Sequence, residues 1–165
     1  MTRFERALEA SESLAVHRAL LTTAELARFN GITTGTSDDP WRRESVTLTL
    51  PSGKTETLAL LADPIVTART KLHRATATAE SGAVIDAAVD IYAGLVLDHV
   101  FKDGNRRTAV LAAHYFLKRY GAPISGIALL DLGLGNLRQE GQIESLRESI
   151  KQMCLFAEKR RNHGG

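Results

Sequence analysis

Nine consecutive residues, His99-Val-Phe-Lys-Asp-Gly-Asn-Arg-Arg107, gather an imidazole, a carboxylate, a Gly-Asn pair and two guanidiniums. A helix N-terminus carrying Gly, Asn and Arg suits a phosphate, because its unclaimed N–H groups and macrodipole both favour an anion. A histidine just upstream is placed to act as a base beside that phosphate. Asp103 offers oxygen ligands to magnesium, a hard cation. Gly104 lets backbone N–H groups approach a phosphate closely. Together these residue types fit phosphoryl chemistry, which needs positioning and charge neutralisation above all. Blander roles compete: Asp103 or Asn105 as a helix cap, Arg106 as a solvent-exposed cation, and Phe101 as an apolar anchor for the loop.

Such a loop works only if its flanks are fixed. Upstream, Val84, Ile85, Ala88, Val89, Tyr92, Leu95 and Val96 share one broad helical face, with Asp86 and Asp90 on the other. Downstream, Val110, Leu111, Tyr115, Phe116 and Leu117 point all round a helix, the pattern of a buried one. Gly121 reads as its stop, with Pro123 beyond. Earlier in the chain, Phe4, Ala7, Leu8, Leu14, Ala15 and Leu20 predict a helix over residues 3–20. Thr22-Thr-Ala-Glu25 reads as the capping box of a second helix that stops at Gly31. Thr33 to Pro40 reads as loop.

From Trp41 the period changes. Val46, Leu48 and Leu50 alternate with Thr47 and Thr49, Pro51-Ser-Gly53 is a turn signal, and Thr55, Thr57 and Leu58 return, so a β-hairpin is expected over about residues 44–60. Asp63-Pro64 starts a helix expected to reach Thr78, and Ser81-Gly82 opens the helix leading into the nine residues. Residues 124–140 are glycine-broken and predict no definite element. Ile143, Leu146, Ile150 and Met153 mark a last amphipathic helix. The expectation is an all-α bundle with a short β-hairpin, a single domain over 1–158, and a frayed basic tail over 159–165.

Composition narrows the function classes. The 165 residues are 44% hydrophobic and 5% aromatic, enough for one core built from aliphatic side chains. A net charge of +2 gives no argument for nucleic acid. Arg42-Arg43 and Lys159-Arg160-Arg161 read as solvated surface, and Trp41 as either a structural aromatic at the hairpin base or part of a target-contact patch. Cys154 is the single cysteine, which excludes an intrachain disulfide framework. His17, His73, His114 and His163 lack metal-ligand spacing. Gly53-Lys54-Thr55 is not a P-loop, because Leu48 stands where the first glycine is required. The start has no apolar signal core and no run approaches membrane-spanning length, so a soluble cytoplasmic protein is expected.

The nonapeptide resembles the Fic/Doc signature, His-x-Phe-x-Asp/Glu-Gly-Asn-x-Arg, at every fixed position: His99, Phe101, Asp103, Gly104, Asn105 and Arg107. The resemblance implies a Fic-type helical bundle with a β-hairpin flap beside the active site. It implies His99 as the base that deprotonates a target-protein hydroxyl, and Asp103 as the magnesium ligand. It also implies Gly104, Asn105 and Arg106 as the anion hole, and Arg107 as a phosphate clamp. ATP or another nucleotide is the implied co-substrate. The flap residues Val46, Thr47, Leu48, Thr49 and Leu50 are expected to dock the target segment by strand addition.

In the family that the chain resembles, AMP-transferring members usually carry Gly where Arg106 stands, and a second Arg where Val110 stands. The Doc branch, which transfers phosphate to elongation factor Tu, has Lys at the first position, lacks the second Arg and runs on into Thr-Ala, as Thr108-Ala109 does here. The expectation is therefore a Doc-like toxin kinase, its target a protein such as a translation factor. AMP transfer is the alternative, kept open by a more Fic-like front half. A non-catalytic adaptor is a third reading, opposed by the intact His99, Asp103 and Arg107. The family's inhibitory signature, Ser/Thr-x-x-x-Glu-Gly/Asn, has only near misses, at Asn136 to Gly141 and Thr76 to Ser81. Inhibition by a separate small antitoxin is expected instead.

Overall fold

The longest unbroken run of buried side chains, Thr108 to Leu117, fixes the architecture of the computed structural model, which describes residues 1–59, 63–122, 124–131 and 137–163. In chain order the elements are α1 (Arg3–Val16), α2 (Thr23–Thr34), β1 (Val46–Thr49), β2 (Thr55–Leu58), α3 (Pro64–Glu80), α4 (Val84–Asp98), α5 (Asn105–Arg119), α6 (Gly126–Asp131) and α7 (Gln142–His163). Helix α5 carries the buried run. It packs against α4, α1, α2 and α6, while α3 and α7 cover α4. The mostly helical class with one small hairpin is as the sequence predicts.

Local chemistry explains most ends. Thr2 and Glu5 form a reciprocal capping box on α1, at 3.1 and 2.6 Å. On α2 only half of the expected box forms: Thr22 Oγ1 accepts from Glu25 N–H at 3.2 Å, while the Glu25 carboxylate takes Arg28 at 2.7 Å. Asp63 Oδ1 caps α3, accepting from the Ile65 and Val66 N–H groups. Gly126 is where α6 meets α1, since a Cβ there would collide with the Leu8 side chain.

Four boundaries differ from expectation. Helix α1 stops at Val16, with His17 as C-cap and Arg18 at φ 57°, rather than reaching residue 20. Helix α2 runs through Gly31, and Gly35, at φ 76°, is its left-handed cap. Helix α3 reaches Glu80. Helix α7 continues to His163, through residues expected to fray. The expectations that fall on Leu60, Pro123, Asn136, the rest of 132–135, and residues 164–165 lie outside the described residues.

The hairpin keeps the predicted alternation. Val46 faces Leu58, Thr47 faces Thr57, Leu48 faces Glu56 and Thr49 faces Thr55. Val46, Leu48, Leu50, Glu56 and Leu58 are half-buried on one face, and Thr47, Thr49, Thr55 and Thr57 are exposed on the other. Leu50 lies past the strand end, its N–H donating to Lys54 O at 2.8 Å.

Among the described residues, Thr33 Oγ1 and both ring nitrogens of His114 are buried without a hydrogen-bond partner, and His114 of α5, 1% exposed, is the titratable one of the two. Glu12 of α1 lies 4.0 Å from its Nε2 and also pairs with Lys118 at 3.7 Å. Burial holds the imidazole below its ordinary 6.5, opposed by Glu12 and aided by Lys118. The unfolded chain therefore binds the proton more readily, so the stability from this residue is present above pH 6.5 and is lost as pH falls through the folded value. His114→Leu should leave stability at pH 7.5 equal or higher, and should flatten the loss of urea-unfolding free energy between pH 7.5 and 5. An unchanged acid slope would count against this account.

Candidate active site

Asn105 closes the loop that joins α4 to α5. Its Oδ1 accepts from the Phe101 N–H at 2.9 Å and its Nδ2 donates to Phe101 O at 2.8 Å. Phe101 is fully buried and stacks on Trp41, with ring centroids 4.7 Å apart. The main chains pair here too: Arg42 N–H donates to Val100 O at 2.8 Å, and Lys102 N–H to Pro40 O at 2.9 Å. Trp41 is thus a structural aromatic at the hairpin base. From the other side, Asn30 of α2 donates to Asp103 O at 2.8 Å and to Thr108 Oγ1 at 3.1 Å.

His99 sits at the C-cap of α4 with φ 50° and ψ 56°. Left-handed backbone is costly for a residue with a Cβ and persists only where its surroundings enforce it. Arg42 supplies much of that enforcement. It was expected at the solvated surface, yet it is 4% exposed. Its Nε donates to His99 O at 2.6 Å and its Nη2 to Asp98 O at 3.1 Å. The carbonyls that end a helix carry negative partial charge, so they accept this cation inside the fold. Arg138 acts alike, its Nη2 donating to Leu97 O at 2.6 Å while Nε pairs with Glu56 of β2 at 2.6 Å. Burial lowers the His99 imidazole below its ordinary value, the charges of Arg42 and Arg138 add to this, and Asp103 opposes it. At neutral pH the ring is uncharged and able to accept a proton.

A cavity of about 950 Å³ opens in front of the loop. His99, Asp103, Gly104, Asn105, Arg106 and Arg107 line it on one side, Leu48, Thr49 and Leu50 on another, and Arg138 contributes as well. Phe101 lies behind it in the core. Val46 lines a separate cleft with Arg42 and Lys102. Neither competing cap of α5 forms: Gly104 is the N-cap residue, without a side-chain cap bond, and Asp103 Oδ1 accepts from the Gly104 N–H, at 2.7 Å. The Asn105 amide is committed to Phe101 by one donor and one acceptor, and its main-chain N–H, at the start of α5, is available to an anion. Arg107 Nη1 donates to Thr33 O at the end of α2, at 3.3 Å. Arg106 Nη2 donates to Leu130 O of α6 at 2.7 Å and lies beside the buried Tyr92 hydroxyl.

Sequence reasoning missed Asn30, Arg42 and Arg138, all of which act from far along the chain. The one sequence signal for Arg42 was the neighbouring Trp41, a large aromatic in an otherwise polar loop.

A family model described as the Fic/DOC family matches residues 7–117. Among solved structures, the chain is similar to a Fic domain containing signaling protein from Bacteroides thetaiotaomicron. The match has 16% identity and a TM-score of 0.71, over 94% of this chain and 67% of that one. At that identity the likeness is one of fold. No curated protein matches.

Gly104 is at φ 70°, and a Cβ there would meet Thr34 Cγ2 at 2.8 Å and Asn30 Nδ2 at 3.2 Å. Gly104→Ala should therefore cost at least the ~1–2 kcal/mol of a left-handed alanine, measured by urea unfolding. Unchanged stability would mean that the loop has a second, unstrained conformation.

Proposed function

The chain belongs to the Fic/DOC family, and on that premise we propose that it transfers the terminal phosphate of ATP, or of another nucleoside triphosphate, to a hydroxyl of a target protein. The observation that carries the reading is the convergence, in one cavity, of a neutral imidazole, a carboxylate, three guanidiniums, a helix N-terminus and the edge of a hairpin.

Each part has a role. His99 takes the proton from the target hydroxyl. The oxygen forms a bond to the γ-phosphorus, the bond from that phosphorus to the β–γ bridging oxygen breaks, and the nucleoside diphosphate leaves with the electron pair. The N-terminus of α5, with Gly104, Asn105 and Arg106, receives phosphate oxygens through main-chain N–H groups. Arg107, already tied to α2 by one nitrogen, meets phosphate with another. Asp103 fits a magnesium ion: its carboxylate is exposed, and magnesium is commonly held by one or two carboxylates plus substrate phosphates. Bound there, the ion supplies charge neutralisation. Of the flap residues, Leu48, Thr49 and Leu50 contribute to the cavity lining, and Val46 and Thr47 continue the strand. The edge of β1 away from β2 is unpaired among the described residues and so able to add a strand of target.

Arg106 supports the choice of phosphate over AMP. Its stem lies between α5 and α6 and lines the cavity, where glycine would leave room for the outer phosphates of a nucleotide attacked at its α-phosphorus. Val110 is buried and brings no second cation. A toxin acting on a translation factor, restrained by a separate small antitoxin, is the setting that fits this activity. No helix among the described residues is long and apolar enough to cross a membrane.

Incubation with labelled ATP tests the group transferred. Label should pass to protein from the γ-position and not from the α-position, and mass spectrometry should find phosphate added. Transfer from α-labelled ATP would make AMP the better reading. His99→Ala should lower transfer by about 10²–10⁴-fold with the fold intact, because Phe101 and Asn105 anchor the loop; near-normal transfer would remove His99 from the role of base. Asp103→Ala should weaken nucleotide binding only when magnesium is present, and Arg107→Ala at any magnesium level. Calorimetry giving unchanged affinity for both variants would assign these residues to structure.

A further inference from the structure

Arg42 serves two clients at once. Its guanidinium has five N–H donors, and four of them reach main-chain carbonyls of three separate segments. Nε and Nη2 hold His99 O and Asp98 O at the end of α4, at 2.6 and 3.1 Å. Nη1 holds Glu44 O, on the approach to β1, at 2.6 Å, and Ala59 O, just after β2, at 3.0 Å. Among the described residues no carboxylate pairs with it. Both stems of the hairpin and the backbone of His99 therefore hang on one planar, rigid fork. Lysine, a single ammonium on a flexible stem, cannot reproduce four bonds in three directions.

The rest of the neighbourhood makes the arrangement a linkage. A two-stranded sheet of four-residue strands is marginal by itself and needs to pack on something larger. A further tether, Glu56 to Arg138, leads to the same helix end through Leu97 O, and the main chain at the hairpin base pairs with Val100 and Lys102. The His99 backbone is left-handed and needs enforcement. A shift of either hairpin stem must alter the Arg42 fork, and the fork must then release or tighten the His99 carbonyl.

We propose that Arg42 is a positioning residue that couples the hairpin to His99, so that seating of a target segment on the flap and alignment of the base are one event. The functional half of this rests on the reading of His99 as base and of the hairpin as docking edge. The coupling itself does not.

The full-length chain is tested as Arg42→Met and Arg42→Lys, with circular dichroism to follow the helices. Two readouts are used: hydrogen exchange of the amides of residues 46–49 and 55–58, and the NMR signal of the His99 imidazole, followed with pH. In both variants the hairpin amides should exchange at least about tenfold faster, a loss of roughly 1.4 kcal/mol of protection. In both, the His99 ring signal should move. With methionine its titration should also move to higher pH, since a cation beside it is gone, while lysine retains that charge. A merely structural brace for the hairpin would change the exchange and leave the His99 signal as in the wild type, and that result overturns the proposal. So does the absence of change in either readout. Should Arg42→Met lose its helices, Arg42→Lys decides on the same readouts. Loss of helices in both overturns the coupling, which has the bundle standing without Arg42.

Labelled ATP separates this inference from the proposed function. Wild-type protein that transfers nothing from the α- or the γ-position, while both readouts respond, sinks the function and leaves the coupling. Transfer at the wild-type kcat by Arg42→Met, with His99 unmoved, sinks the coupling and leaves the function.

Discussion

The two-way bond between the Asn105 amide and the Phe101 main chain is the constraint on which the rest of the site depends. It ties residue 101 to residue 105 with a donor and an acceptor from one side chain. The five-residue span cannot flex without breaking both bonds inside a buried environment, where an unmade hydrogen bond is expensive. Phe101 hands this rigidity to the core through Trp41, and Asn105 hands it to α5, whose next turns are sealed on every side. The charged residues 103, 106 and 107 are left at the rim of a fixed frame.

Electrostatics then sorts what the frame holds. Two helix ends meet here with opposite partial charge. The C-terminal end of α4 attracts Arg42 and Arg138, which take three successive carbonyls, those of Leu97, Asp98 and His99. The N-terminal end of α5 faces the cavity without a side-chain cap. Cations that satisfy one helix end thereby sit beside an imidazole and help to keep it uncharged.

What was legible in the sequence was local. The alternation of Val46, Leu48 and Leu50, the Asp63-Pro64 start and the apolar girdle of α5 all follow from neighbours within a few residues. So does the cluster of reactive side chains, because it is contiguous. Arg42 was misread because a basic pair next to a polar loop usually is solvated. Its partners at the end of α4 lie 56 and 57 residues away, and no periodicity points to them. Asn30, whose partners are 73 and 78 residues away, escaped for the same reason. Gly31 reads as a helix stop because glycine often is one. In the fold it lies inside α2, where a Cβ would come within 3.0 Å of Thr36 O, and Gly35 provides the stop.

The four-residue strands of the hairpin also set an order of events at the ribosome. Residues 46–58 leave the exit tunnel well before the end of α4, and longer still before α5. A nascent hairpin has no helix end against which Arg42 can hold it, and alone it is too short to persist. Chains stalled before residue 105 lack the Asn105 clasp, the Arg107 guanidinium and the core that Phe101 enters. A half-made chain therefore carries no working fragment of the site, and the site comes into being only once α5 has been synthesised and docked.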